Sequence, residues 1–479
     1  MKLREYVFGY ADADTEFANN PELFKKAFYD PNDYISEVID GFKFMIVGRK
    51  GIGKTAYASK LRQLSEDGEK MIDNVYIHLN EIDFSLFKKM ADNKYEGTQK
   101  YQKIWDWVIG LEILKYLVEN HFELNEKLDI IVKILENNEI YISDNLPTSI
   151  RKASKKYAKF SFKGVEAGVE GHSENTTLDI YEFVEKIFEA LKDVYINKKL
   201  FIIFDGLDDL LRCKVEKADM IAGLIRSANY TNIFLSKNKV RCKVLLLIRN
   251  DILSSVIDPD INKIKRDSSI YLSWNEDNIK ELVSLRIKNS SNNLATWYTI
   301  FPKELNKHDS LDFILDFTLL RPRDILQFLN QAKEMYPTRE KLTYQETHSV
   351  LKQYSSIYFI GEIKDELSGF VEDEVIHSLL GIFQKIGETD FTFQDFKNIM
   401  HDVIKNDDDS HCWEILQRLI QTSAIGQISN HDYYDKRVKR MTKKSVMEFF
   451  YKNPQMIVQR NNKFHIHRAL YKALNFSIN

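Results

Sequence analysis

The segment that most constrains this chain is Gly48-Arg49-Lys50-Gly51-Ile52-Gly53-Lys54-Thr55. Ahead of it, Phe42 to Val47 is a short apolar run suited to a buried strand; behind it, Ala56-Tyr57-Ala58-Ser59-Lys60-Leu61 has helical character. Strand, glycine loop and helix in that order is the setting in which successive backbone N–H groups converge on a phosphate. The helix then turns its positive end to the same charge. The glycines let the backbone come close and adopt positive φ. Gly48, Gly51, Ile52, Gly53, Lys54, Thr55 and Ala56 are therefore expected to cradle the phosphates of ATP. Lys54 would reach the β- and γ-phosphates, and the Thr55 hydroxyl would bind Mg²⁺. A glycine turn before an ordinary helix is the bland alternative, and the flanking strand and helix argue against it.

Such a loop needs a second acid at the end of a neighbouring strand to hold the Mg²⁺ shell. Leu200-Phe201-Ile202-Ile203-Phe204-Asp205 supplies one, and Asp205 is expected at the metal. Asp208 and Asp209 follow closely, where a carboxylate can polarise an attacking water. They would equally serve as caps of the next helix, and the choice between the two stays open.

Strands alternating with helices (Val75–Leu79, Leu200–Phe204, Lys243–Ile248, Ile270–Trp274) predict an α/β fold with a parallel sheet. The long gap between Lys54 and Asp205 holds a helical and basic insertion at about 82–177. Ile104, Trp107, Val108, Leu111, Leu114 and Leu117 recur there at helical spacing. A hairpin is expected at Gly164 to Gly171. At 479 residues the chain is too long for one core, and three parts are read from it. They are a core at 1–275, a helical lid and linker at 276–370, and a final module at 371–479. That module offers three helices, then extended segments near Ile425–Ser429, Met456–Gln459 and Phe464–His467, which together read as a winged helix.

Asp-Gly-Leu-Asp-Asp at 205–209, after an apolar run, resembles the extended Walker B motif of STAND ATPases, including their NACHT branch. That group usually has Glu at the last position, so Asp209 is a departure, one that fits slow, switch-like turnover. Leu245 to Asp251 is similar to the sensor-1 strand of AAA+ and STAND proteins, which implies a γ-phosphate-sensing role for Asn250 or Arg249. Lys265-Arg266 stands where origin-recognition ATPases carry an arginine finger, implying that Arg266 acts on a neighbouring subunit. Arg321-Pro322-Arg323 resembles the sensor-2 motif, with Arg323 toward phosphate. The resemblance is thus to origin-recognition-like STAND/AAA+ ATPases of prokaryotes, a group met near mobile elements and phage-defence loci. It covers about residues 5–335 by motif and the winged helix by architecture alone.

Net charge is −3, so any contact with nucleic acid must come from a local patch. Arg151 to Lys159 carries five basic residues and Lys436 to Lys444 six. The second falls in the expected wing, where phosphate contacts are common; acidic neighbours and a solvated loop are the alternative. His465 and His467 share one strand face, which would suit a metal, but with no acidic or Cys partner nearby a strand surface is the expectation. Three scattered cysteines, Cys213, Cys242 and Cys412, build no disulfide framework. Without a signal core or a membrane-length apolar run, a soluble cytoplasmic protein with no membrane contact is expected. No Ser-His-Asp or Cys-His set stands out.

Two readings follow. One is an ATP-driven switch that forms homo-oligomers and acts with a separately encoded effector protein, in a phage-defence setting. The other is an ATP-regulated DNA-binding protein of initiator type. A small-molecule kinase shares the glycine loop but not the lid and sensor pattern.

Overall fold

Leu200 to Phe204 and Val244 to Ile248 are unbroken apolar runs, and the structure buries every one of these side chains to 1% exposure or less. Strands with both faces covered read this way because a parallel sheet carries helices on each side. The computed structural model describes residues 1–90, 97–156, 159–161, 177–207, 217–256, 258–405, 408–435 and 440–477. It divides into two units, Asp30–Ser273 and Met1–Tyr29 with Trp274–Asn479.

The first unit is built on five strands: β1 (Met45–Gly48), β2 (Ile72–His78), β3 (Lys199–Asp205), β4 (Cys242–Arg249) and β5 (Ser269–Tyr271). They lie in the order β2-β3-β4-β1-β5, every pairing parallel. Parallel neighbours need crossovers, and helices supply them. Helix α1 (Lys54–Glu66) leaves β1 directly through the glycine loop.

Between β2 and β3 the chain runs through a short helix, Ser85–Met90, then α2 (Thr98–Glu119), α3 (Glu126–Asn137) and α4 (Leu146–Lys155). An antiparallel pair, Lys159–Ser161 with Thr177–Asp179, and α5 (Ile180–Leu191) complete this helical insertion. Asp179 caps α5, accepting from Tyr181 N and Glu182 N at 3.0 Å each. The segment Gly164 to Gly171, expected as a hairpin, lies outside the described residues.

Helix α6 (Lys217–Lys237) precedes β4, and α7 (Pro259–Ser268) precedes β5. Helix α2 is apolar almost all round because α6 and α5 both pack on it; Trp105 and Trp107 are fully buried. Lys152 and Lys155 of the first basic run sit in the last turn of α4, where cations favour the helix dipole, and Lys152 pairs with Asp144 at 2.7 Å.

In the second unit α8 (Glu276–Ser290), α9 (Pro322–Met335) and α10 (Tyr344–Gln353) precede α11 (Asp373–Ile386), α12 (Phe393–Ile404) and α13 (Asp409–Gln421). Four strands, β6 (Asp390–Phe391), β7 (Ile425–Asp435), β8 (Arg440–Glu448) and β9 (Lys463–Ile466), form an antiparallel sheet in the order β6-β9-β7-β8. The N-terminal residues, read with the core in the sequence, pack here instead. Leu3 N and Arg4 N donate to Arg339 O and Pro337 O at 2.7 and 3.0 Å, and Leu3, Tyr6 and Phe8 are buried. Their apolar core continues through Leu367, Val371 and Val375 to Leu474, so packing does not break near residue 371.

Two local expectations change. The segment Met456–Gln459 is not a strand. Buried Gln427 satisfies its backbone, donating to Ile457 O at 2.8 Å and accepting from Gln459 N at 3.2 Å. Besides β9, the strand that pairs along β7 is β8, which carries the end of the second basic run. His465 and His467 are not on a strand surface either: both are buried. His465 Nδ1 meets the Asp390 carboxylate and Nε2 lies 3.0 Å from the Tyr471 hydroxyl. His467 accepts from Ala469 N at 3.1 Å and stacks on Phe359. Among the described residues no cluster of three or more His, Cys, Asp or Glu could hold a metal ion.

Candidate functional site

β1 ends at Gly48 and α1 begins at Lys54, with Gly51 and Gly53 at φ 76° and 103°. These left-handed turns reverse the chain within five residues, a conformation that a side chain would strain. Gly48 is needed for another reason: a Cβ there would lie 2.6 Å from Cγ2 of Ile52. Ala56 N donates to Gly53 O at 3.0 Å, closing the first turn of α1. The Lys54 ammonium folds over the loop and donates to Gly48 O and Arg49 O, both at 3.1 Å.

Asp205 reaches this loop from the C-terminal end of β3. The Thr55 hydroxyl donates to Asp205 Oδ2 at 2.8 Å, across 150 positions of sequence. The other carboxylate oxygen accepts from Gly206 N at 2.7 Å. The hydroxyl and carboxylate expected to share one Mg²⁺ shell are therefore in contact, next to an ammonium and the start of a helix. This donor set fits a nucleoside triphosphate and its hard, oxygen-seeking cation.

A third group was not visible in the sequence. Tyr76 on β2 donates its hydroxyl to the same Asp205 oxygen at 2.7 Å. The parallel register of β2 on β3 (Tyr76 opposite Ile203, His78 opposite Asp205) brings it there. The one available signal was a hydroxyl between two apolar residues of a predicted strand.

The remaining expected residues are distributed as follows. Asp208 and Asp209 lie outside the described residues. β4 lies between β1 and β3, with Arg249 in register with Gly48, so Asn250 begins a helix beside the loop. Arg249 is held by Asp251 through two bonds of 3.0 and 2.6 Å, which leaves Asn250 as the better sensor candidate of the two. Arg266 projects from the last turn of α7 with its side chain 77% exposed, while Lys265 turns inward onto Leu253 O and Val256 O.

Arg323 belongs to the other unit. It donates to Ala11 O at 3.2 Å and lies 3.8 Å from Glu362. Arg321, beside it, is fully buried among Asp324 (2.8 Å), Glu366 (2.6 Å) and Glu362 (3.7 Å). It anchors the start of α9.

The backbone of Arg440 to Lys444 forms part of β8; residues 436–439 and the side chains of the basic run lie outside the described residues. Among the described residues no helix is long and apolar enough to cross a membrane.

The FunZ-associated C-terminal helical domain family matches residues 277–359. The chain is 22% identical over 335 residues to the "Putative transposon gamma-delta 80.3 kDa protein" of Escherichia coli (strain K12). That match covers 67% of this chain and 46% of the relative, so the chain spans less than half the length of the curated protein it matches. Among solved structures, Cdc6p of Pyrobaculum aerophilum matches at 14% identity and a TM-score of 0.33, covering 98% of this chain and 97% of that one. The Aeropyrum pernix ORC1 protein in complex with DNA matches at 10% and 0.38, covering 90% and 93%. The ORC2 protein of the same organism, in ADPNP–ADP complexes, matches at 12% and 0.39, covering 95% and 97%. Fold and site together define an α/β protein with a parallel sheet and a glycine loop between its β1 strand and α1.

Proposed function

We propose that this chain binds Mg²⁺·ATP at the loop after β1 and hydrolyses it slowly, as a switch of the AAA+/STAND type. The observation that carries the reading is the 2.8 Å contact between Thr55 and Asp205 beside the Lys54 ammonium. Magnesium, when bound, supplies charge neutralisation on the phosphates. Lys54 would exchange its bonds to the loop carbonyls for the β- and γ-phosphates, and Thr55 and Asp205 would hold the ion. Asn250 senses the γ-phosphate, and Asp208 or Asp209 orients the attacking water. Arg266 completes the site of a neighbouring copy, and Arg323 reports phosphate to the lid. The output is carried by a homo-oligomer acting on a partner effector protein, in a phage-defence or mobile-element setting; the relative's transposon name agrees with the latter.

Titration of Mg²⁺·ATP tests the site. Lys54→Ala should abolish binding, and Asp209→Ala should leave binding intact while stopping hydrolysis. Hydrolysis untouched by Lys54→Ala would sink the assignment.

A second reading, ATP-regulated DNA binding of initiator type, has its own supporting observation. β7 and β8 pair antiparallel up to Asp435 opposite Arg440, and the second basic run follows β7 in sequence and ends within β8, the position in sequence of a wing in a winged helix. Removing the charges of Lys436, Arg437, Lys439 and Arg440 should weaken duplex binding at low salt and lower the magnitude of the salt slope by about 3–4. A parent chain that binds no DNA at low salt ends this reading.

A further inference from the structure

Residues 6–11 belong to no helix or strand, yet they are tied along one face of α9. Lys333 Nζ donates to Tyr6 O at 2.7 Å, Asn330 Nδ2 to Gly9 O at 2.9 Å and Arg323 Nε to Ala11 O at 3.2 Å. Positions 323, 330 and 333 fall on one stripe of a helix. The strap runs antiparallel to that stripe and has to be extended to do so. From 323 to 333 a helix rises roughly 15 Å, and the five steps from Tyr6 to Ala11 span about 17 Å at most.

Its two halves are held differently. Tyr6 and Phe8 are buried and stack on each other, while Val7 between them is exposed, the alternation of an extended chain. Beyond them the chain turns at Gly9, with φ 100°, and the Tyr10 side chain is exposed. Residues 9–11 bury no large apolar side chain. Their ties are the Asn330 and Arg323 bonds and the 2.6 Å bond from Tyr10 N to Glu16 Oε2. A segment with few bonds and little apolar contact is the part that opens first.

Arg323 stands at this weaker end. Its guanidinium is shared between the Ala11 carbonyl and Glu362, on the helix Ile360–Leu367. Glu362 Oε2 lies 3.8 Å from Arg323 Nη1 and 3.7 Å from Arg321 Nη2. That oxygen is buried and makes no hydrogen bond among the described residues, so its hold on Arg323 is one of charge. An anion offering the guanidinium charge-assisted hydrogen bonds competes with both partners.

We propose that the strap and Glu362 form a latch on Arg323, and that Mg²⁺·ATP binding opens the strap at residues 9–11. When phosphate takes the guanidinium, Ala11 O loses its donor and the strap loosens. While the strap is closed, part of the binding free energy of ATP is consumed in releasing Arg323. By linkage, loosening the strap tightens Mg²⁺·ATP binding by the factor with which Mg²⁺·ATP loosens the strap. Asn330 and Glu362 are positioning residues in this device, acting through Arg323. The latch rests on the reading of Arg323 as the arginine that meets phosphate.

Calorimetry with Mg²⁺·ATP and amide exchange, both on the full chain, test the proposal. Glu362→Gln and Asn330→Ala should each tighten Mg²⁺·ATP binding about five-fold. Arg323→Ala should weaken binding, and in that background Asn330→Ala should change nothing, because the arginine it acts through is gone. A merely structural role for Asn330 would give the same change in both backgrounds. Saturating Mg²⁺·ATP should speed exchange of the Tyr10 amide about five-fold in the parent and leave it unchanged in Arg323→Ala. If Glu362→Gln does not fold, Asn330→Ala carries the test. The latch is overturned if neither variant tightens binding, or if Asn330→Ala acts equally without Arg323. It is also overturned if Mg²⁺·ATP makes the Tyr10 amide no faster to exchange. Failure of the Arg323 reading would show separately, as Arg323→Ala binding Mg²⁺·ATP like the parent. Failure of the nucleotide site would show as binding indifferent to Lys54→Ala.

Discussion

A Cβ on Gly48 would lie 2.6 Å from Ile52 Cγ2, whereas one on Gly53 would meet nothing within 4 Å. The two glycines therefore serve different ends. At Gly48 the space is already filled, so Gly48→Ala must push Ile52 and the loop behind it. We expect it to weaken Mg²⁺·ATP binding by about ten-fold or more, with the chain still folded; a titration beside a thermal melt separates the two effects. At Gly53 the cost is backbone strain, since φ is 103°. At this scale residue types were legible: Lys54, Thr55 and Asp205 follow from the chemistry a phosphate loop requires, and the structure brings Thr55 and Asp205 into contact and lays Lys54 on the loop. Tyr76 was not, because a tyrosine in a strand is ordinary until its cross-strand neighbour is known.

At the scale of elements, α2 and α6 enclose a titratable group. The Asp106 carboxyl is fully buried and accepts from the Ser227 hydroxyl at 2.6 Å. Burial pushes it up to about 6, and Lys103 and Ser227 pull it partly back. An acid with a raised folded pKa binds more protons folded than unfolded between its ordinary value and about 6. Its contribution to stability therefore falls as pH rises through that window and stays low above it. Asp106→Asn, which still accepts from Ser227, should stabilise the chain above pH 6 by on the order of 2 kcal/mol. Melts at pH 7.5 should show the gain and melts near pH 4 should not. An equal shift at both would remove the charge from the explanation.

Element patterns were legible where one periodicity ruled. The parallel strands, the helical insertion and the three helices after residue 371 are all present. The final sheet was read less well. The segment Met456–Gln459 was apolar enough for a strand, yet its hydrogen bonds go to the Gln427 side chain. His465 and His467 read as strand surface because no acidic or Cys partner lies near them in sequence, but the fold brings Asp390 from 75 positions away, and Tyr471 and a stacked phenylalanine complete their setting in the interior.

At the scale of the whole molecule the prediction concerns the proposed assembly of copies. Arg266 stands exposed in the same unit as the loop, so an arginine acting on a neighbour requires an assembly. Arg266→Ala should retain ATP affinity and lose at least about a thousand-fold in hydrolysis if the finger acts in trans. Mixing it with Lys54→Ala copies should restore part of the rate, because each supplies what the other lacks. No recovery on mixing, with oligomers formed, would rule out action between copies.

The sequence by itself determined the loop, the kind of acid it needs and the alternation of strands with helices. Those depend on contiguous residues, whose spacing sets local backbone geometry and hydrophobic period. Only the tertiary structure decided that Thr55 and Asp205 touch, that β4 lies between their strands, that Tyr76 shares the acid, and that the N-terminal residues pack on the second unit. These contacts join positions far apart in the chain. They are set by strand order, register and burial, which no local pattern encodes.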